Sequence, residues 1–533
     1  MRAVSTATTA LAAPWLPACG ALRPGTDPLW AGALPFAHGV ASGDPLADRV
    51  ILWTRVTPPP DRASGPIPVR WRLARDPGFR DVAAWGSVTT GPARDYTVKV
   101  DPVGLEPGRA YYYQFAVLDR TSPIGRTRTL PSGSVDRVRL AFTSCANYPQ
   151  GYFNTYAMMA ARSDLDAVLH LGDYFYEYEN GAFGDGTALG RLPEPAHETV
   201  SLSDYRTRHA QYKGDPDLQA LHRQHPVIAV WDDHESANDS WKGGAENHDP
   251  EREGAWSARK AAAIRAYLEW MPVREAPADG DGRIYRSFRF GDLADLIMLD
   301  TRLEGRDEHA PRDDRLRIDD PRRSLLGPTQ EAWLAERLRA SQQRGAAWRV
   351  LGQQVMFAPL ARPGRPVNPD QWDGYPASRS RVLDLLEGRG NAGGGAIDDV
   401  VILTGDIHSS WALDVPRDPF DPRRYDPATG RGSRAVEFVT PAAAAAPLGA
   451  FERVRKSLDQ VEHTHPHVRF MDLDERGYVL LDLDAERAQA EWYFVDTVEE
   501  RRAGERFGGA FAARRGEGRL TEVREPSPVG AAV

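Results

Sequence analysis

The sequence predicts an α/β protein in two parts, a layered α/β sandwich preceded by a small β-sandwich domain. Three observations carry this. The runs at 138–144, 166–171, 226–231 and 401–404 are almost continuously apolar, which is the signature of parallel strands buried on both faces. From residue 135 onward such runs alternate with stretches of helical spacing, as a layered α/β architecture requires. Before that point short strand-like runs are separated by Pro and Gly turns, the pattern of a β-sandwich. The expected organisation is a leader at 1–26, a first domain at 27–134 and an α/β domain with a C-terminal tail at 135–533.

The leader has an apolar stretch from Ala10 to Cys19 with only Arg2 ahead of it, and reads as an export signal with a short basic region. The expected location is therefore extracytoplasmic: secreted, periplasmic or in the cell wall. Leu16-Pro17-Ala18-Cys19 resembles a lipoprotein cleavage box, so a lipid anchor at the N-terminus is the alternative. No other apolar run is long enough to span a bilayer. In the first domain, Val69 to Leu73 and Tyr111 to Phe115 read as strands. Leu105-Glu106-Pro107-Gly108 followed by Tyr111 resembles the tyrosine corner of fibronectin-type sandwiches. The tyrosines at 111–113 are read as packing residues.

The α/β part opens with Val138 to Ser144, which delivers Cys145 at its end; Asn147 and Gly151-Tyr152 then lead into a helix. Outside the leader this cysteine has no partner for a disulfide, and on its own it would read as a small buried hydrophobe. The second run continues through Leu171-Gly172-Asp173 into Tyr174-Phe175-Tyr176. The third opens into Asp232-Asp233-His234-Glu235, and the last into Gly405-Asp406-Ile407-His408. Any one of these segments, taken singly, reads more readily as a strand followed by a solvated acidic loop or a helix cap. Together they point to one site, because ligands of open α/β sheets collect beyond the carboxyl ends of the strands.

The donor types indicate metals. A thiolate from Cys145, a phenolate from Tyr176, an imidazole from His408 and the carboxylate of Asp173 suit a transition metal such as iron. The spare carboxylates and the amide of Asn238 suit hard cations, so a centre with more than one metal, bridged by Asp173, is expected. Such centres activate water and neutralise phosphoryl charge.

Between these strands, Tyr205 to Arg223, broken at Pro216, and Trp256 to Trp270 have helical spacing. Gly181 to Thr199 reads as a loop that could overhang the site, and Ala361 to Ser378 as a second irregular stretch carrying Trp372 and Tyr375. The Gly388 to Gly395 turn lacks the Lys-Ser/Thr of a phosphate-binding loop and reads as a connector. Ala442 to Ala446 is read as a helix start packed near the site. His463, His465 and His467 are read as a loop before the strand at 470–473, rather than a zinc site, and the tail after Thr521 as frayed.

Taken together, Phe142-Thr143-Ser144-Cys145, Gly172-Asp173-Tyr174-Phe175-Tyr176-Glu177, Trp231-Asp232-Asp233-His234-Glu235 and Gly405-Asp406-Ile407-His408 resemble the signature blocks of the alkaline phosphatase D family of metallophosphoesterases. His38 to Pro45, Leu52 to Arg55, Met298 to Arg302, Gly477 to Asp482 and Glu491 to Val495 are also similar to that family, so the resemblance covers nearly all of the chain after the leader. It implies a metallophosphoesterase-like catalytic domain, and a secreted alkaline phosphatase and phosphodiesterase that hydrolyses mono- and diesters through a metal-activated water or oxide. It implies Fe³⁺ on Cys145, Asp173, Tyr176 and His408, and Ca²⁺, two ions, facing Asp173, Asn238 and Asp406. Asp233 stands where metallophosphoesterases place the Asn of their Gly-Asn-His block, although Asp232 is open to the same role; His234 falls at their phosphate-contacting His. Family members are commonly exported by the twin-arginine route, but the leader lacks the arginine pair.

The rival readings are a phospholipase D-like or nucleotide phosphodiesterase on the same scaffold, a non-catalytic metal or phosphate-binding protein, and a covalent mechanism through Ser144 or Ser409. The last lacks the Gly-x-Ser-x-Gly setting. At 533 residues, with 41% hydrophobic residues and 14 Trp, the chain can bury ample core. A net charge of −9 and a pI near 5.9 argue against a dedicated nucleic-acid binder.

Overall fold

A computed structural model describes residues 35–58, 65–275, 283–360, 366–389 and 395–529; the leader and the centre of the Gly388 to Gly395 turn lie outside them. The strand Val400–Thr404 shows how the core is organised. Val401 and Leu403 join one hydrophobic cluster while Val400 and Ile402 join another, because successive strand side chains point to opposite faces. Leu296 and Met298 likewise separate from Ile297, and Val350 from Leu351. The first cluster also holds Leu140, Phe142, Val168 and Ile228, so it joins this sheet to a second one. The other cluster holds Leu334, Leu338, Val382 and Leu386 of the helices Gly327–Arg344 and Pro376–Leu386, which cover the far face.

One sheet has seven strands and is parallel through Ala294–Met298, Trp348–Gly352, Val400–Thr404 and Ser433–Val439. The other has ten strands and is parallel through Arg137–Thr143, Ala167–His170 and Pro226–Ala229. A parallel bridge between Ser144 and Ala442 ties the strand ends of the two sheets together. The helices Leu202–Lys213, Pro216–Gln224 and Trp256–Trp270 fall where helical spacing predicts them, with the break at Pro216, the first residue of its helix.

Near the N-terminus, the strands Ile67–Ala74, Val82–Thr90, Ala110–Val117, Arg120–Thr121 and Gly125–Arg128 form a five-stranded sheet over a core of Val69, Leu73, Tyr111, Tyr113 and Phe115. The tyrosine corner is present: the Tyr111 hydroxyl accepts from the Glu106 amide at 2.8 Å. The opposing layer of this sandwich is not separate. Val40–Gly43, Ile51–Arg55 and Thr97–Val100 extend the ten-stranded sheet, Val40–Gly43 running parallel to Pro226–Ala229 with Ser42 opposite Pro226.

Four sequence expectations are corrected. Ala442 to Ala446 packs near the site but starts no helix, because the amides of Ala443, Ala444 and Ala445 donate to the Ser144 and Cys145 carbonyls at 2.8–3.3 Å. The stretch expected to be irregular at 361–378, of which 361–365 lie outside the described residues, contains a 3-10 turn at Trp372–Gly374 and runs into a helix from Pro376. A short helix, Val461–Thr464, precedes His465 and His467, whose Nε2 atoms face the carbonyls of Leu360 and Pro359 at 2.7 and 2.9 Å. The tail is ordered well past Thr521. Leu520–Val523 pairs with Glu505–Arg514, and Ser527 donates to the buried carboxylates of Glu491 and Asp482 at 2.6 and 2.7 Å, which need such donors.

Candidate active site and metal centre

Four strand ends converge. Cys145, Asp173, Asp406 and His408 all take positive φ, between +51° and +63°, and so turn the chain sharply off its strand. This is a sparsely populated region for side-chain-bearing residues, and it clusters at functional sites. Two glycines let the loops meet. A Cβ on Gly172, whose φ is +112°, would lie 2.3 Å from the Asp232 Cβ, and one on Gly405 would lie 2.8 Å from the Ser144 Cβ.

Ligand atoms of Cys145, Asp173 and His408 lie within 4.8 Å of one another. Tyr176 completes this group, its hydroxyl 2.8 Å from His408 Nε2 and donating to Asp173 Oδ2 at 3.1 Å. The His408 Nδ1–H donates to the Ala446 carbonyl at 2.8 Å, which leaves Nε2 as the lone-pair nitrogen toward the cluster. Burial pulls its pKa down to about 4, so the ring is neutral, as a ligand must be. Burial, and then Asp173, push the Cys145 thiol and the Tyr176 phenol well above their usual ranges, so a nearby cation is what would make them anionic.

A second group joins Asp173, Asp233 and His234, and a third joins Asp232, Asp233 and Asp406. Asp233 belongs to both, which favours it over Asp232 as the linking ligand. Asp173 Oδ1, Asp232 Oδ2 and Asp233 Oδ1 are buried with no hydrogen-bond partner. Such atoms are costly unless a cation takes them, so the residues fit a metal centre in both donor type and geometry. Asn238 donates its amide nitrogen to Glu246 at 2.5 Å and thereby leaves Oδ1 as the atom open to a cation. Asp406 has less freedom, because its oxygens already accept from Arg302 at 2.8 Å and Gln371 at 2.5 Å.

Several residues that organise the site are absent from the ligand set read in the sequence. The fully buried guanidinium of Arg302 faces Asp232, Asp406, Asp233 at 3.5 Å and Asp370 at 2.8 Å, with Arg306 also on Asp370. Glu235 ties two ligand loops together by accepting from the amides of Asp173, Tyr174 and Asp232 at 3.1, 2.7 and 2.8 Å. Glu177 holds His234 Nδ1 at 2.7 Å. Burial works against the His234 imidazolium, but Asp233, Glu177 and Asp173 outweigh it and hold the pKa well above the usual range. Both glutamates and Arg302 lie inside motif blocks, so their position in the sequence was the available signal. The Gly181 to Thr199 loop does reach the site. The Phe183 ring stacks on His234 at 6.3 Å and lies 6.2 Å from His408.

Ser144 and Ser409 are unsuited to covalent catalysis. The first contacts Cys145 Sγ at 3.0 Å and the second donates to the Ile407 carbonyl at 3.2 Å; among the described residues neither has an imidazole partner.

A layered α/β fold that presents clustered carboxylates, a thiol, a phenol and two imidazoles at its strand ends defines a hydrolase of phosphoric ester bonds. Residues 140–492 match the family described as PhoD-like phosphatase, and residues 25–131 match its N-terminal domain. Alkaline phosphatase D of Bacillus subtilis (strain 168) is 38% identical over 484 residues, which is 87% of this chain and 78% of that protein. A solved structure of PhoD superposes with a TM-score of 0.81 at 35% identity, covering 93% of each chain. The chain belongs to the PhoD-like phosphatase family.

Proposed function

We propose that this phosphatase hydrolyses phosphate mono- and diesters outside the cytoplasm, at a centre of one Fe³⁺ and two Ca²⁺, with the leader at 1–26 as its export signal. Among the described residues no helix is long and apolar enough to cross a membrane. The observation that carries the assignment is the convergence of Cys145, Asp173, Tyr176 and His408, a mixed soft and hard donor set that suits iron. Asp173, Asp233, Asn238 and Asp406 are the oxygen donors suited to calcium. Bound there, the cations would neutralise phosphoryl charge and make water a competent nucleophile near neutral pH.

The protein's own groups supply orientation and the proton. With Nδ1 fixed on Glu177, His234 has Nε2–H for a phosphoryl or departing oxygen. Asp233 accepts the Asp239 amide at 2.6 Å through Oδ2, so its other oxygen is held toward the cluster.

The test is nitrophenol release from p-nitrophenyl phosphate and its bis-ester at alkaline pH, before and after calcium chelation. Chelator-sensitive turnover of both is expected, and their ratio separates a general phosphatase from a dedicated diesterase. Absence of turnover of either by protein containing iron and calcium would overturn the reading.

A further inference from the structure

A cavity of about 370 Å³ opens beside the metal centre, walled chiefly by Met356, Val367, Ile407, Leu448, Val454 and Leu458. Its wall is tied to two ligand residues. Gln371 lines it and donates to Asp406 Oδ2 at 2.5 Å; the Leu448 amide donates to the His408 carbonyl at 2.9 Å; Ile407 stands between Asp406 and His408 in the chain. The cavity therefore lies against the segment that carries Asp406 and His408. Its lining is apolar, and the Asp373 carboxylate in its wall is turned to the Leu360 amide at 3.0 Å.

Two arginines set the sign of the mouth. Arg312 and Arg453 line the cavity and are exposed. A chiefly apolar interior flanked by two exposed arginines suits an anion with an apolar substituent better than a neutral lipid-like molecule or a polar sugar. Pockets of ~300–1,000 Å³ take small ligands, and an apolar cavity of ~150 Å³ already holds a benzene ring.

We propose that this cavity binds the apolar group of the ester, so that phosphoesters of aryl and branched-alkyl alcohols are the preferred substrates. This rests on the assignment of the neighbouring cluster as the phosphate site. The phosphoryl group meets the metal ligands, and the aryl or alkyl group enters between Ile407 and Val454. Burying one such group in a fitted pocket is worth roughly tenfold or more in discrimination.

Methyl-, butyl- and benzylphosphonate test it as competitive inhibitors of bis-p-nitrophenyl phosphate hydrolysis, and as ligands in calorimetry on the metal-loaded, full-length protein. Affinity should rise about tenfold or more from methyl to benzyl. Val454→Trp and Val367→Trp fill the cavity from separate segments, and each should flatten the series by weakening benzylphosphonate selectively. Equal affinities across the series in the wild type, or an unflattened series in both folded variants, would overturn the proposal. Hydrolysis with size-blind inhibition rejects the cavity alone. Protein that binds no phosphonate and turns over no ester rejects the assignment of the phosphate site and the proposal with it.

Discussion

Glu235 is the residue through which the geometry of the centre can be perturbed without touching a ligand. Oε2 accepts from the Asp173 and Asp232 amides and Oε1 from the Tyr174 amide. Burial pushes its carboxyl up to about 7 against the pull of those bonds, so at pH 9 it is a carboxylate. Glu235→Gln keeps the shape. Its carbonyl can serve the pair of amides at Oε2, but its NH₂ then faces the Tyr174 N–H and leaves a buried donor unpaired, which costs about 1–3 kcal/mol. The two retained bonds become neutral and weaken by about 1 kcal/mol each. A total near 3–5 kcal/mol falls on the loop that carries Asp173 at φ +52°, so that loop should relax. Metal affinity at pH 9 should fall roughly 10–100-fold, as it does when groups that orient ligands are lost. Metal titration into chelator-stripped protein reads this directly. Wild-type metal affinity in a folded Glu235→Gln protein would refute the claim that these bonds set the ligand geometry.

The other perturbations separate ligands from scaffold. Cys145→Ala and Tyr176→Phe should each lower iron content and turnover together, and normal iron by metal analysis in both would remove them from the ligand set. Arg302→Met leaves Asp232, Asp370 and Asp406 without their shared cation and should destabilise chelated protein by about 3–5 kcal/mol, with a smaller loss in excess calcium; equal losses by chemical denaturation in both conditions would count against cations sharing this charge. Lys213 is fully buried, 2.8 Å from His222 Nε2, and burial pulls its ammonium well below the usual range. The unfolded chain therefore binds the extra proton up to pH ~10.4, so the contribution of Lys213 to stability rises with pH toward that value. Lys213→Met leaves the Tyr174 hydroxyl on His222 and should raise the melting temperature at pH 7, the gain shrinking toward pH 10; no gain at pH 7 would refute it.

The strands that build the centre were legible because parallel strands buried on two faces admit few polar residues. Val400–Thr404 and Ala167–His170 stand out against the 26% charged background, and the polar residues that follow them mark the strand ends. The proposed ligands at 145, 173, 176, 406 and 408 sit at or just beyond those ends, where position and donor type together pointed to them, whereas the choice of Asp233 over Asp232 came from the family resemblance. Asp370 and Gln371 could not. They lie in an irregular stretch whose approach to Arg302 and Asp406 is set by the packing of Trp372 under Phe357, a tertiary contact with no local period. The extension of the ten-stranded sheet by Val40–Gly43 was hidden for the same reason. A short strand that pairs with a partner nearly two hundred residues away looks, locally, like one more strand of the sandwich.

Two kinds of stored cost coincide in this centre, and their coincidence explains why it needs so much scaffold. Cys145, Asp173, Asp406 and His408 hold left-handed backbone, a conformation that costs on the order of 1–3 kcal/mol for residues with side chains. The carboxylates of Asp173, Asp232, Asp233 and Asp370 are buried and that of Asp406 half-buried, and among the described residues the cationic groups that face this cluster are Arg302, Arg306 and the His234 imidazolium. Neither cost is met locally. The backbone is held by bonds from elsewhere: Glu235 on the Asp173 loop, Ala446 on His408, and the Ala443 to Ala445 amides on the carbonyls of Ser144 and Cys145. Without cations, burial pushes Asp173 and Asp232 well above the usual carboxylate range and protons relieve the charge; cations that replace those protons should stabilise the fold as well as enable the chemistry. This is why the alanine run beside Cys145 stays unwound. A helix there would take back the amides that bond the Ser144 and Cys145 carbonyls beside the left-handed Cys145.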